Sequence, residues 1–219
     1  NPLELRLAPV AEGMQLRILN PARAPFTGTA RLAGQEQSIR LSREQPDAVV
    51  TLKGDPGTGA VQLLGARGEV VAETRPQTFR PLAIPRLRSA LDGDAQVPAK
   101  ASLAWTNAPG ESNRPFARAW EWTYQFDPGW RFVQAIPETA TPLLLAERPH
   151  AIGMWICGDQ SGNALRLRVT DAEKQTFQPN GPNLDWTGWR WVEFDLADLK
   201  QAGHWGGADN GIARGGLQL

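Results

Sequence analysis

Cysteine is nearly absent: Cys157 stands alone in 219 residues. One thiol can form neither an internal disulfide nor a cysteine-based zinc site, so no compartment can be read from disulfides. Histidine occurs twice, as His150 and His204, too far apart in sequence for a metal-ligand spacing. Net charge is missing too. The 23 Lys and Arg balance 23 Asp and Glu, which removes any general attraction for nucleic acid or an anionic membrane. No apolar run reaches the roughly 18 residues that a membrane-spanning helix needs. There is no Gly-x-Ser-x-Gly elbow, no phosphate-binding loop and no cysteine–histidine arrangement, and no base is placed beside Ser161 by sequence. The chain therefore reads as non-catalytic. No signal-peptide pattern precedes Asn1. The abrupt start and the apolar end Gly216-Leu-Gln-Leu are those expected of a piece of a longer protein.

What is present is tryptophan. There are nine Trp against one Tyr, together with 22 Gly and 18 Pro, a level that favours many turns and short strands. Every Trp lies at or after Trp105, and the stretch before it has only Phe26 and Phe79. Two domains of different chemistry explain this asymmetry, joined at Pro81-Leu-Ala-Ile-Pro85. The expected division is 1–83 and 84–219.

Residues 1 to about 82 read as short strands. Met14-Gln-Leu-Arg-Ile-Leu, Gly28-Thr-Ala-Arg-Leu-Ala, Ser38-Ile-Arg-Leu and Ala48-Val-Val-Thr-Leu alternate apolar and polar residues. Ala60-Val-Gln-Leu-Leu and Glu69-Val-Val-Ala-Glu-Thr flank a hairpin turn at Gly65-Ala-Arg-Gly. Period-two alternation broken by frequent turns predicts an antiparallel sandwich. This half resembles the immunoglobulin-like or fibronectin-like spacer domains of bacterial secreted enzymes.

Residues 84–219 also read as strand. Phe116, Arg118, Trp120, Trp122, Tyr124 and Phe126 fall on one face of a strand by alternation. Ala151 to Cys157, Ala164 to Thr170, Gln175 to Gln178 and Trp189 to Leu196 follow, separated by Gly, Asp, Asn and Pro. Ala197-Asp-Leu-Lys-Gln-Ala is the one piece with helical character, too short to carry a fold. Gly158-Asp-Gln-Ser-Gly-Asn is a polar turn whose glycines permit positive φ. Leu165, Leu167 and Val169 face one way, and Arg166, Arg168 and Thr170 the other. Val192, Phe194 and Leu196 read as core, with Trp191 and Glu193 opposite. The whole chain is expected to be all-β, with a jelly roll of two packed sheets in this half.

The run Pro149-His-Ala-Ile-Gly-Met-Trp-Ile-Cys-Gly-Asp-Gln-Ser-Gly-Asn-Ala-Leu-Arg-Leu-Arg-Val-Thr-Asp-Ala, with Gln175-Thr-Phe-Gln and Leu184-Asp-Trp-Thr-Gly-Trp-Arg-Trp-Val-Glu-Phe after it, resembles galactose-binding-like jelly-roll modules. Such modules occur in accessory regions of phosphodiester glycosidase-type proteins and other bacterial polysaccharide-active enzymes, and some are akin to carbohydrate-binding family 11. Cys157 departs from the pattern, since relatives carry a larger residue there. The resemblance covers most of the second half and none of the first. It implies a non-catalytic module that binds a polysaccharide or oligosaccharide, beside a catalytic domain of the same secreted or cell-surface bacterial protein. It also implies a structural calcium held near the two ends of the module, for which Asp92, Asp94 and Asp209 supply carboxylates.

Sugar rings stack their C–H faces on indole while polar side chains bind their hydroxyls. Two groups have that mix: Arg118, Trp120, Trp122 and Tyr124; and Arg166, Arg168, Trp191 and Glu193. Trp130 and Trp205, beside glycines, are expected to be exposed, and Trp155 and Trp189 to be core. The bland reading is that Trp fills a sandwich core, since Trp is highly buried on average. A structural domain that packs its Trp face against a neighbour and binds no sugar is the alternative. Glu193-Phe-Asp195-Leu-Ala-Asp198 is similar to the Glu-x-Asp-x-x-Glu strand of certain retaining glucanases, but its last position is Asp.

Overall fold

The computed structural model describes residues 3–11, 13–32, 34–53, 59–75, 80–110, 116–139, 141–145 and 149–219. Among the described residues there are eighteen strands and no helix. The protein is all-β. It divides into two compact units, Asn1–Arg80 with Asn107–Arg118, and Pro81–Thr106 with Ala119–Leu219.

The first unit holds β1 (Glu4–Val10), β2 (Gly13–Leu19), β3 (Phe26–Leu32), β4 (Gln35–Leu41), β5 (Ala48–Lys53), β6 (Val61–Gly65) and β7 (Val70–Thr74). They form two antiparallel sheets, ordered β1-β2-β5 and β4-β3-β6-β7. The period-two pattern does what it predicts. Met14, Leu16 and Ile18 of β2 are buried with Val50 and Leu52 of β5, and they meet Ala30, Leu32, Ile39, Leu41, Val61 and Leu63 from the other sheet in one apolar cluster. Burying those faces against each other is the main favourable term for this unit. The β6–β7 hairpin turns at Gly65–Gly68, closed by hydrogen bonds from Gly65 N to Glu69 O and from Gly68 N to Gly65 O. Gly68 takes φ +79° there, a conformation that disfavours a side chain.

The second unit holds β8 (Leu87–Gly93), β9 (Ala99–Asn107), β10 (Arg118–Phe126), β11 (Arg131–Pro137), β12 (Ala151–Asp159), β13 (Ala164–Arg166), β14 (Val169–Thr170), β15 (Thr176–Gln178), β16 (Asn180–Asn183), β17 (Thr187–Asp195) and β18 (Gly203–Trp205). β8 pairs with β11, β9 with β10, β12 with β17 and β13 with β16, and β14-β15-β18 form a three-stranded sheet. Ile152, Val192 and Phe194 from β12–β17 and Val169 and Phe177 from β14–β15 turn into one apolar cluster with Leu167, Trp186, Leu196, Leu199 and Leu217.

Three expectations need correction. The segment Ala197–Ala202 is not helical. Asp195 Oδ1 accepts from Ala197 N, Asp198 Oδ1 accepts from Lys200 N, and Ala202 N donates to Leu199 O, so two aspartates divert the backbone into turns. The stretch Ala164–Thr170 is broken into β13 and β14, because Leu167 N donates to Pro179 O between them. In the turn after β12, Gln160 and Gly162 take positive φ but Gly158 does not. Gly158 is needed for space instead: a Cβ there would strike the Trp186 carbonyl and indole.

Candidate functional site

The nine tryptophans all belong to the second unit, and only Trp186, at 7% exposure, is buried. Trp105, Trp122, Trp130 and Trp205 are exposed, and Trp120, Trp155, Trp189 and Trp191 are half-buried. The core Trp is thus Trp186, not Trp155 or Trp189. The register of β12 on β17 sets Trp155 opposite Trp191 and Cys157 opposite Trp189, on the face away from Ile152, Val192 and Phe194.

The predicted group of Arg166, Arg168, Trp191 and Glu193 is split. Trp191 and Glu193 lie on the outer face of β12–β17, where Trp191 Nε1 donates to Glu193 Oε1 at 2.7 Å and the Trp191 ring meets Trp155 edge-on at 5.9 Å. Arg168 extends from the other side of the core, beside β14, and Arg166 is exposed on β13. Both sheets turn one face into the same core, so their outer faces look in opposite directions.

The predicted group on β10 spreads along its strand. Trp120 packs on Trp105 with ring centroids 5.3 Å apart, Trp122 is exposed, and Tyr124 stacks on Phe126. The Tyr124 hydroxyl donates to Asp159 Oδ2 at 2.5 Å, accepts from Asn163 Nδ2 and lies 3.2 Å from Ser161 Oγ. Burial and the Asp159 carboxylate push the phenol above its ordinary pKa. Burial raises that of Asp159, but hydrogen bonds from Tyr124 and Ser161 outweigh it and hold the carboxyl below its usual range. This polar knot ties β10 to the turn after β12.

A different constellation gathers aromatic rings around a charged side chain. β8 pairs with β11 so that Asp92 lies opposite Phe132. Phe132 meets Trp130 edge-on at 5.6 Å. On the neighbouring sheet Thr176 of β15 lies opposite Trp205 of β18, and Arg168 joins the two halves. Its guanidinium sits 5.4 Å from the Phe132 ring centroid and 5.1 Å from that of Trp205. Arg168 NH1 donates to Asp92 Oδ2 at 2.6 Å, Nε donates to Gln178 Oε1 at 2.7 Å, and Gln134 Nε2 donates to the same Asp92 oxygen at 3.0 Å. The Arg168 hydrogen bond, then that from the Gly93 backbone, holds the Asp92 carboxyl below its ordinary range. Trp130 is 69% and Trp205 41% exposed. The result is a partly exposed run of rings around a fixed guanidinium.

No protein-family model, curated protein or solved structure matches this chain.

Four of the predicted site residues meet here: Trp130, Arg168, Trp205 and Asp92, the last expected as a metal ligand. Phe132, Gln134 and Gln178 were missed. The alternation of Phe132 and Gln134 was the available signal, since it sets both on one face of β11, with Trp130 just ahead of that strand. Each of the three carboxylates expected near a calcium meets a protein group. Asp92 is engaged by a cation, Asp94 Oδ1 accepts from Gln96 N, and Asp209 Oδ1 lies 3.7 Å from His204 Nε2. Among the described residues no three His, Cys, Asp or Glu side chains are gathered in one place. The glucanase-like carboxylates are engaged as well, Glu193 by Trp191 and Asp195 and Asp198 by backbone amides.

Proposed function

We propose that the second unit binds a polysaccharide or oligosaccharide chain, without altering it, across the surface formed by Trp130, Phe132, Arg168 and Trp205. The observation that carries this is the partly exposed run of three aromatic rings around one immobilised guanidinium, with amide side chains at its edge. Rings bind sugar C–H faces, and fixed polar groups bind hydroxyls and set orientation. Pairing with Asp92 and Gln178 holds Arg168 in place before a ligand arrives, which lowers the cost of ordering it on binding. In this reading the second unit is a galactose-binding-like jelly roll and the first an immunoglobulin-like spacer, a role that the β1-β2-β5 and β4-β3-β6-β7 sandwich supports. The parent is then a secreted or cell-surface bacterial protein whose catalytic domain is kept near its polymer by raised local concentration.

Affinity electrophoresis through gels containing single polysaccharides tests the proposal. At least one polymer is expected to retard the protein, with Trp130→Ala or Trp205→Ala weakening retardation about tenfold and Trp122→Ala leaving it intact. If no polymer retards the protein, the packing alternative stands instead. That alternative has support in the half-buried Trp155–Trp191 pair on the opposite sheet.

A further inference from the structure

Within the hydrogen-bonded network on the rings, one positive charge meets one negative charge, while Arg131, which alternates away from Phe132 along β11, donates from NH1 to the Asp92 backbone oxygen at 3.4 Å. Arg168 supplies the guanidinium over the rings, and the Asp92 carboxylate meets that guanidinium at 2.6 Å. Gln134 and Gln178 complete the network, both uncharged. Beyond these bonds the network presents N–H groups on the second Arg168 amino nitrogen and Gln178 Nε2, and acceptor oxygens on Gln134 and Asp92. A carboxylate or sulfate on a sugar would approach a guanidinium whose charge is already met, and would lie close to the Asp92 carboxylate. Such an anion would give up its hydration without gaining a free cation on the ring face. A hydroxyl both donates and accepts, so it can use these donors and acceptors at no charge cost.

Resting on the sugar-binding reading, we infer that this site selects uncharged glycans and that Asp92 is the residue that excludes acidic ones. Asp92 acts by neutralising Arg168, so removing its charge should convert the site to one that accepts acidic polymers.

The experiment runs the 219-residue chain and Asp92→Asn through gels containing neutral polymers (hydroxyethylcellulose, xylan, glucomannan) or acidic ones (pectate, alginate, chondroitin sulfate), at low and at high ionic strength. The unsubstituted protein should be retarded by a neutral polymer, equally at both ionic strengths, and pass through acidic gels unhindered. Asp92→Asn should gain at least tenfold in retardation by an acidic polymer, and high salt should abolish the gain. Arg168→Gln in the same background should remove it. Asp92→Asn keeps an acceptor for Arg168, and a melting curve reports whether it folds. If it does not, the gels run with the unsubstituted protein decide. Retardation of that protein by acidic polymers alone, or equally by both classes, overturns the inference and leaves the sugar-binding reading standing. Retardation by neither class overturns both.

Discussion

Asp171→Ala is expected to destabilise the second unit more than any surface change. Asp171 is 1% exposed and sits in the turn between β14 and β15. Its Oδ1 accepts from Glu173 N and Gln175 N at 2.9 Å each, and its Oδ2 accepts from Arg214 N at 2.9 Å. Alanine leaves three amides without their acceptor. The Gln175 amide is buried, and losing its bond to a carboxylate costs about 1.5–3 kcal/mol. The other two lie partly in reach of water and cost about 1 kcal/mol each. The sum is about 3–5 kcal/mol, which in a unit of this size lowers the melting temperature by roughly 10–20 °C. Because every Trp lies in the second unit, Trp fluorescence during heating or urea titration follows that unit alone. Asp171→Asn keeps one acceptor oxygen, able to serve Glu173 N and Gln175 N, but sets an NH2 against Arg214 N, and should fall between the two. A loss below about 1 kcal/mol for Asp171→Ala would refute the reasoning, since it would mean that the three amides find other partners at no cost.

Gly153→Ala places a methyl group where the Trp191 indole lies; Trp191 should swing away from Trp155 and Glu193, removing the Trp–Trp signal from the near-ultraviolet circular dichroism and costing about 1–2 kcal/mol. An unchanged spectrum would show that the ring does not rest on Gly153. The pKa values of Asp92 and Asp159 are depressed in the folded protein, so their contribution is present above the ordinary carboxylate value of 3.8 and is lost as pH falls below it. That of Tyr124 is raised, so its contribution is present below the ordinary phenol value of 10.0 and is lost as pH rises above it. In a pH series of urea midpoints, Tyr124→Phe should flatten the alkaline fall, and a fall of unchanged steepness would remove Tyr124 as its cause.

The strands of the first unit were legible because each carries its own signal. Met14, Leu16 and Ile18 alternate with Gln15 and Arg17, and a one-residue slip would bury the polar set. The second unit was harder for the opposite reason. β8, β11, β16 and β18 are short or mixed in character, and they are defined by partners far away in sequence. No local pattern says that Asp92 lies opposite Phe132. The inward and outward faces at Leu165–Thr170 and at Trp191–Leu196 were legible from alternation. Which outer face goes with which was not, because the pattern gives orientation within a strand but never the strand's place in a sheet. Trp155 and Trp189 were expected in the core on the average behaviour of Trp. The register with β17 overrides that average by setting both on the outer face, and the core takes Trp186, whose indole donates to Gly188 O and carries Arg190 on its ring.

The buried network and the ring surface belong to one construction. β18 is three residues long, too short to fix a ring by its own ladder. It pairs with β15 through Thr176, Phe177 and Gln178, so the position of Trp205 depends on where β15 begins. Asp171 sets that start by binding the Gln175 amide. Gln175 then accepts from the amides of Asn210 and Gly211 and donates to Ile212 O, which holds the segment following Trp205. On the inner face His204 packs against the fully buried Phe177. Trp205 is therefore fixed from both sides in sequence, and Arg168 is fixed between Asp92 and Gln178. A surface that meets a ligand with rings and polar atoms already in place gives up less freedom on binding. In the proposed sugar-binding reading, the Asp171 and Gln175 side chains serve the surface from outside it, by positioning Trp205.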